Sequence, residues 1–357
     1  MDQANSRANL GLDDIQADLP AIREDAQGQN APVLATSNAT DIIGVTDATD
    51  ATDATDATDA TDVTDVADVA DVADAVLPHQ EPTPDSPNRG SYSYCSTLYR
   101  ICQEENIKIQ FLSNNWVIRL EKGKQIHFIV GHKFDLNSHG VGLIADDKCA
   151  TYAALSFREL PAVPHAIVYD FTNTSPHARG RNDLTYVERL FHTYQQHIVL
   201  KPNCGSGGRQ VYQISSQEQL LPTLLELFTN NRTVALCPFY DILHEHRVVV
   251  LDGDIRIAYT KVLPDSTSWK FNLQQGATSE PIPALDYSKI TTLARKAAKA
   301  IGLRFGSVDI IETTEHELLV LEINSGVMLD KYIEQHPDQY ERAYTLYRNA
   351  IRKMFLE

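Results

Sequence analysis

From residue 92 onward the chain alternates between short apolar runs and longer amphipathic stretches. Leu98, Ile101 and Cys102 share one face of a helix predicted over residues 95–105. Runs at 107–112, 116–120 and 125–130 read as short strands. A helix is predicted at 148–160, stopped by Pro161, then a strand at 166–170 and a helix at 184–194. A strand at 198–202 runs into a glycine loop and is followed by a strand at 211–214 and a helix at 217–228. Strands are predicted at 233–237, 245–251 and 255–261, then an Ala- and Lys-rich helix at 287–301. Two apolar runs, 306–311 and 318–321, flank a polar turn, and a helix at 338–355 closes the chain. Strands and helices mix without strict strand–helix alternation. That favours an α+β fold with antiparallel sheets over a doubly wound one.

The first 88 residues break this pattern. They contain no Phe, Trp or Tyr, and from Thr46 they repeat Thr-Asp-Ala, then Thr-Asp-Val and Ala-Asp-Val. A period of three fits neither helix nor strand, and the segment has too little apolar surface to offset its ordering entropy. Residues 1–90 are therefore expected to be a disordered acidic tail ending in a Pro-rich linker, with transient helix near 66–76. The tail also explains the net charge of −17: residues 1–88 hold 17 Asp and 2 Glu against 2 Arg, and the rest is neutral. A neutral folded part argues against nucleic acid as a partner. Five widely spaced cysteines without a CxxC pair fit reduced thiols. No apolar run is long enough to span a membrane, and the start of the chain lacks the basic and apolar regions of a signal peptide. These features predict a cytoplasmic protein without membrane contact.

Candidate chemistry lies in the C-terminal two-thirds. Asp309 and Glu322 are thirteen residues apart on two predicted strands, with Asn324 two residues beyond Glu322 on the same strand face. Two carboxylates and an amide oxygen form a hard-oxygen set suited to Mg²⁺ with substrate phosphates. The alternative is a solvated acidic hairpin. Lys201-Pro202-Asn203-Cys204-Gly205-Ser206-Gly207-Gly208 joins two predicted strands. Such a loop can cradle phosphate with its backbone N–H groups, or serve only as a hairpin turn. Its strand–loop–strand context excludes both a Walker A loop and a Rossmann turn. Lys148 at a helix start is a mild electrostatic misfit unless an anion lies nearby. Arg247 and Lys261, on neighbouring strands, either face one cavity or form a cross-strand ion pair with acidic neighbours.

In order, these pieces resemble the ATP-grasp superfamily across roughly residues 92–357. They are similar to the ATP-grasp parts of cyanophycin synthetase, bifunctional glutathione synthetases and ribosomal-protein glutamate ligases. Asp147-Lys148-Cys149-Ala150-Thr151, with Leu160-Pro161-Ala162-Val163-Pro164, resembles the entry motif. Lys201 and the Gly205–Gly208 segment resemble the flexible phosphate loop. Leu236, Cys237 and Phe239 lie where the hinge strand holds adenine through its backbone, and Glu245 lies at the ribose-binding carboxylate. Asn272 with Gly276-Ala277 resembles a further loop motif, and Asp309, Glu322 and Asn324 match the metal ligands. Cys237 departs from the usual acidic or Gln hinge residue, Cys204 is an oxidation-sensitive intruder in the loop, and Ser325-Gly326-Val327-Met328 departs on the acceptor side.

The resemblance implies an ATP-grasp fold: a small segment at 91–140, then a grasp domain at 141–357 divided into an ATP-binding part (165–240) and a metal and substrate part (241–357). It implies an ADP-forming carboxylate–amine ligase using ATP and two Mg²⁺, with Mn²⁺ as a substitute. The substrates would be small-molecule or peptide carboxylates and amines, and homodimers are common among such enzymes. Lys148 and Lys201 would hold the α- and β-phosphates, while Arg247 and Lys261 would stabilise the transferring group and the acyl phosphate. Two alternatives stand beside this: a peptide-crosslinking ligase acting on its own Thr/Asp tail, and an ATP-binding regulator without ligation.

Overall fold

The computed structural model describes residues 94–205, 207–263 and 269–356. The acidic repeat, its expected disorder and the Pro-rich linker lie outside these residues, as does Ser206.

Three antiparallel sheets organise the described chain. Helix α1 (Tyr94–Glu104) leads into strands β1 (Lys108–Leu112), β2 (Val117–Lys122), β3 (Gln125–Val130) and β4 (Lys133–Phe134), paired in sequence order. Helices α2 (His139–Asp146) and α3 (Lys148–Ser156) follow. The second sheet has order β5-β8-β6-β7, from β5 (Ala166–Tyr169), β6 (Ile198–Pro202), β7 (Tyr212–Ile214) and β8 (Thr233–Pro238). Helices α4 (Leu184–Thr193) and α5 (Leu220–Phe228) bury Val187, Leu190, Phe191, Leu224 and Leu227 against Ile198, Leu200, Val234 and Leu236 of this sheet. The third sheet has order β11-β10-β9-β12-β13. Its strands are β9 (Ile242–Leu251), β10 (Asp254–Val262), β11 (Thr278–Glu280), β12 (Phe305–Thr313) and β13 (Leu318–Asn324). Helix α6 (Ala284–Ile301) precedes β12, and α7 (Asp330–Gln335) and α8 (Tyr340–Met354) end the described chain.

The period-two alternation of β9 builds the five-stranded sheet. Val248 and Val250 turn to α6 and pack with Ile290, Ala294, Ala297, Val308 and Ile310. Val249 and Leu251 turn the other way, into a core shared by Ile118, Leu120, Ile129, Phe305, Tyr347 and Ile351. Residues 94–136 and α8 thus share one core with the five-stranded sheet. Toward the start of β9 the same two faces become polar: Glu245 and Arg247 on one, His244 and His246 on the other.

Most predicted elements appear within a few residues, with instructive differences. Helix α3 stops at Ser156, because Glu159 takes a left-handed φ of 54° and the Leu160 N–H donates back to the Leu155 carbonyl. The helix predicted at 217–228 opens as a 3₁₀ turn, where Ser216 and Gln219 form a capping box. Helix α2 was not predicted. Two glycines in its first turn hide its propensity, and it forms with the Ser138 hydroxyl accepting from the Val141 N–H.

Candidate active site

The register of the five-stranded sheet sets one row of side chains across four strands: Tyr259 opposite Arg247, Arg247 opposite Asp309, Asp309 opposite Glu322. Beside it, Lys261 lies opposite Glu245, and Asn324 opposite Ser307. Asp309 is completely buried. Arg247 Nε donates to its Oδ1 at 2.8 Å and Nη2 to its Oδ2 at 2.6 Å. Lys261 Nζ is 3.5 Å from Oδ1 and also donates to Glu245. Asn324 Nδ2 lies 3.3 Å from Asp309 Oδ2 and 3.4 Å from Glu322 Oε1. The hard-oxygen set therefore converges, and a flip of the Asn324 amide would present its oxygen to the same point.

Burial opposes ionisation of Asp309, but Arg247 and then Lys261 outweigh it and hold the carboxyl well below the usual range. Lys261 is held above its ordinary value for the converse reason: Asp309 and Glu245 outweigh burial and the nearby Arg247. The solvated cross-strand pair expected as an alternative is thus replaced by a buried network.

The glycine loop faces this row from the four-stranded sheet. Asp147 caps α3 by accepting from the Ala150 N–H at 2.7 Å. Asn203, fully buried, donates to Asp147 Oδ2 at 2.7 Å and accepts from the Cys149 N–H at 3.1 Å. This clamp fixes the start of α3 to the base of the loop. Lys148 is buried there rather than exposed: its Nζ donates to the Gly205 carbonyl at 2.8 Å and lies 3.7 Å from Glu322 Oε2. Lys201 is also buried and has no hydrogen-bond or ion-pair partner among the described residues. Lys148, Arg247 and Lys261 thus meet Glu322, Asp309 and Glu245 in one charged row.

Gly207 and Gly208 have φ of 75° and 65°. A Cβ on Gly208 would meet Asn272 Nδ2 at 3.1 Å, and Gln275 Nε2 donates to the Gly207 carbonyl at 3.1 Å. The loop carrying Asn272 therefore abuts the glycine loop, while the Asn272 side chain accepts from the Gln274 N–H. Cys204 is exposed, but desolvation raises its thiol pKa, which disfavours the reactive thiolate.

Between the two sheets lies an apolar cluster: Val163, Val199 and Cys237 against Ile311, with Phe239, Trp269 and Leu321 packed on it. Cys237 pairs only with Val199 of β6, because β5 ends opposite Leu236. Its other backbone edge has no strand partner among the described residues. Leu236 is the hinge residue that the fold does not bring to this cleft: it is paired on both sides and its side chain lies in the core of the four-stranded sheet. Glu245 is brought to the site but is already engaged by Lys261. Sequence reasoning missed Asn203, for which no spacing signal exists, and Ser325, whose hydroxyl donates to Asp146 at 3.1 Å.

Residues 166–329 match the family described as the ATP-grasp domain of prokaryotic glutathione synthetase. Over these residues the chain is similar to an ATP-grasp domain. Every site residue named above from Lys201 to Asn324 falls within the match, and Lys148 precedes it. A tetrahydromethanopterin:alpha-L-glutamate ligase of Methanocaldococcus jannaschii is 28% identical over 188 residues, covering 51% of this chain and 58% of that protein. A glutathione synthetase of Vibrio vulnificus is 28% identical over 124 residues, covering 33% of this chain and 39% of the relative. The alignments thus span between about two-fifths and three-fifths of these relatives. A solved D-alanine–D-alanine ligase from Bacillus anthracis superposes with a TM-score of 0.46 at 16% identity, covering 60% of this chain and 68% of that one. No described helix of the chain is long and apolar enough to cross a membrane.

Proposed function

We propose that this protein is an ATP- and Mg²⁺-dependent ligase that activates a carboxylate as an acyl phosphate and joins it to an amine, releasing ADP. The observation that carries this reading is the row Arg247–Asp309–Glu322, centred on buried Asp309 with Asn324 beside it, which Lys148 joins to the glycine loop. The residues fit the groups they would hold. The Lys201 side chain is largely buried and paired with no anion among the described residues, and the positive φ of Gly207 and Gly208 lets the backbone close on an anion.

Glu322, Asp309 and Asn324 would hold two Mg²⁺ ions, or Mn²⁺ in their place. Bound there, the metal would neutralise charge on the terminal phosphates. Lys148 and Lys201 would hold the inner phosphates. Arg247 and Lys261, preorganised by Asp309 and Glu245, would meet the negative charge that develops as the phosphoryl group moves to the carboxylate. Cys237 and Phe239 would border adenine, whose face would lie on Val199 and Leu321. Residues 205–208 would cover the phosphates and keep water from the acyl phosphate. No side-chain nucleophile is needed.

The two sheets, each with its own core, support the division at about residue 240 between a nucleotide-holding part and a metal-holding part. All five cysteines are free, which supports a reducing, cytoplasmic setting. Small-molecule or peptide substrates and a homodimer belong to the same reading. The test is ADP release with Mg²⁺ across a panel of amino acids and dipeptides. Tight ATP binding with no acceptor-dependent release would favour the regulator instead. A second reading rests on the Thr-Asp repeat, which sets carboxylates beside hydroxyls in the same chain. It expects the intact mass to fall by one water per link with ATP, and not to fall in Glu322→Ala.

A further inference from the structure

On the face of the five-stranded sheet opposite Arg247 and Asp309, a second cluster of ligating groups has no role in the reading above. His244 and His246 are two residues apart on β9 and so project together, and Glu312 of β12 is register partner to His244. One ligating atom from each of the three lies within 4.8 Å of the others. His244 Nδ1 is 3.1 Å from Glu312 Oε2, and His316, in the β12–β13 turn, sets its Nδ1 2.8 Å from Oε1 of the same carboxylate. His246 is 1% exposed, and its Nε2 points toward Glu312 Oε2 at 3.8 Å without a hydrogen-bond partner.

That orphaned nitrogen singles out the cluster. The other ring nitrogen, Nδ1, lies 3.0 Å from Thr260 Oγ1. If Nδ1 carries the proton and donates to Thr260, the Nε2 lone pair faces a carboxylate with nothing between them. If Nε2 carries the proton, its N–H is buried and too far from Glu312 to bond. A cation between Nε2 and the carboxylate resolves the first arrangement. The Thr260 contact then fixes the ligating tautomer, as outer-shell partners of metal-bound histidines do. Two or three imidazoles with one carboxylate select a borderline transition metal over Mg²⁺ or Ca²⁺. With bonds of about 2.1 Å, tetrahedral ligands sit roughly 3.4 Å apart. Contraction from 4.8 Å is therefore modest for His244, His246 and Glu312, half-exposed His244 is free to make it, and exposed His316 would swing in from Glu312 Oε1.

We propose that His244, His246 and Glu312 form a site for a divalent transition-metal cation of the Zn²⁺ class, with His316 as fourth ligand. The ion would tie β9 to β12 where their register shifts at Glu312/Thr313, on the sheet face remote from the nucleotide.

The probe is Co²⁺, added to the full chain after chelator treatment, with Mg²⁺ in excess to fill oxygen sites. Expected is one equivalent bound with visible ligand-field absorption, displaced by Zn²⁺. That equivalent should be absent in His244→Ala and Glu312→Gln, which alter partly exposed side chains and keep the fold by circular dichroism. Lack of a one-equivalent signal in the unmodified chain would overturn the site. So would an unchanged signal in both variants, which would assign the ion to other histidines or to the Asp-rich segment.

Discussion

Arg247 and Asp309 face each other across β9 and β12 and share two hydrogen bonds, at 2.8 and 2.6 Å. The pair makes the arginine a fixed cation and the carboxylate a permanent anion. Arg247→Ala leaves Asp309 buried with Lys261 as its remaining cation, so unfolding in urea should show a loss of about 3 kcal/mol. Arg247→Lys restores charge without the two-pronged grip and should recover only part of that loss.

The same pair sets a pH dependence. The folded-state pKa of Asp309 is depressed, so the stability from its charge is fully present above its unfolded value of about 3.9. It is lost as pH falls from there toward the lower folded value. Urea midpoints measured from about pH 5 to pH 2 should fall more steeply for the unmodified chain than for Asp309→Asn. Between neutral and mildly alkaline pH the two slopes should agree.

Lys201 separates a functional charge from a structural one. Its side chain is largely buried and paired with no anion among the described residues, so it does little for the fold without a ligand. Lys201→Met should keep or raise unfolding stability while abolishing the rise in melting temperature that ATP produces. A stability loss beyond about 1 kcal/mol would assign Lys201 to the scaffold instead.

Glu322→Gln changes charge but little shape, and its carboxylate is partly exposed. Folding should be nearly unaffected, and acceptor-dependent ADP release should fall by about 100-fold or more, without rescue by added Mg²⁺. Equal rates would remove Glu322 from the proposed metal site.

Two glycines should respond differently to alanine. A Cβ on Gly306 would sit 2.3 Å from the Asn324 carbonyl oxygen, so Gly306→Ala must spread β12 from β13. It should lower stability by about 1–3 kcal/mol and displace the Asn324 ligand. Gly208→Ala meets φ strain of about 1–2 kcal/mol and a movable side-chain amide, and its larger effect should be a raised KM for ATP.

Much of the fold was legible because the strands carry their register in their own alternation. Asp309 and Glu322 fall opposite each other, as the two apolar runs and the turn between them implied. The glycine loop joins two antiparallel strands, as its flanks implied. What escaped was set by distant contacts. Asn203 reads as an ordinary loop residue, and only the approach of α3 to β6 makes it the clamp on Asp147. Helix α2 has weak propensity and forms against its tertiary neighbours. His244 and His246 give no signal in the sequence, and only strand pairing sets Glu312 and Thr260 beside them.

By itself, the sequence determined which residue types the proposed triphosphate and metal sites would draw on, and the order of the elements that carry them. That information is local, because side-chain period and turn chemistry act over a few residues. The tertiary structure decided which charges neutralise one another. Lys261 goes to Glu245 and Arg247 to Asp309, while Lys201 has no such partner among the described residues. Those pairings depend on register between strands far apart in the chain, because a buried charge stays ionised only through the partner that the closed sheet sets beside it.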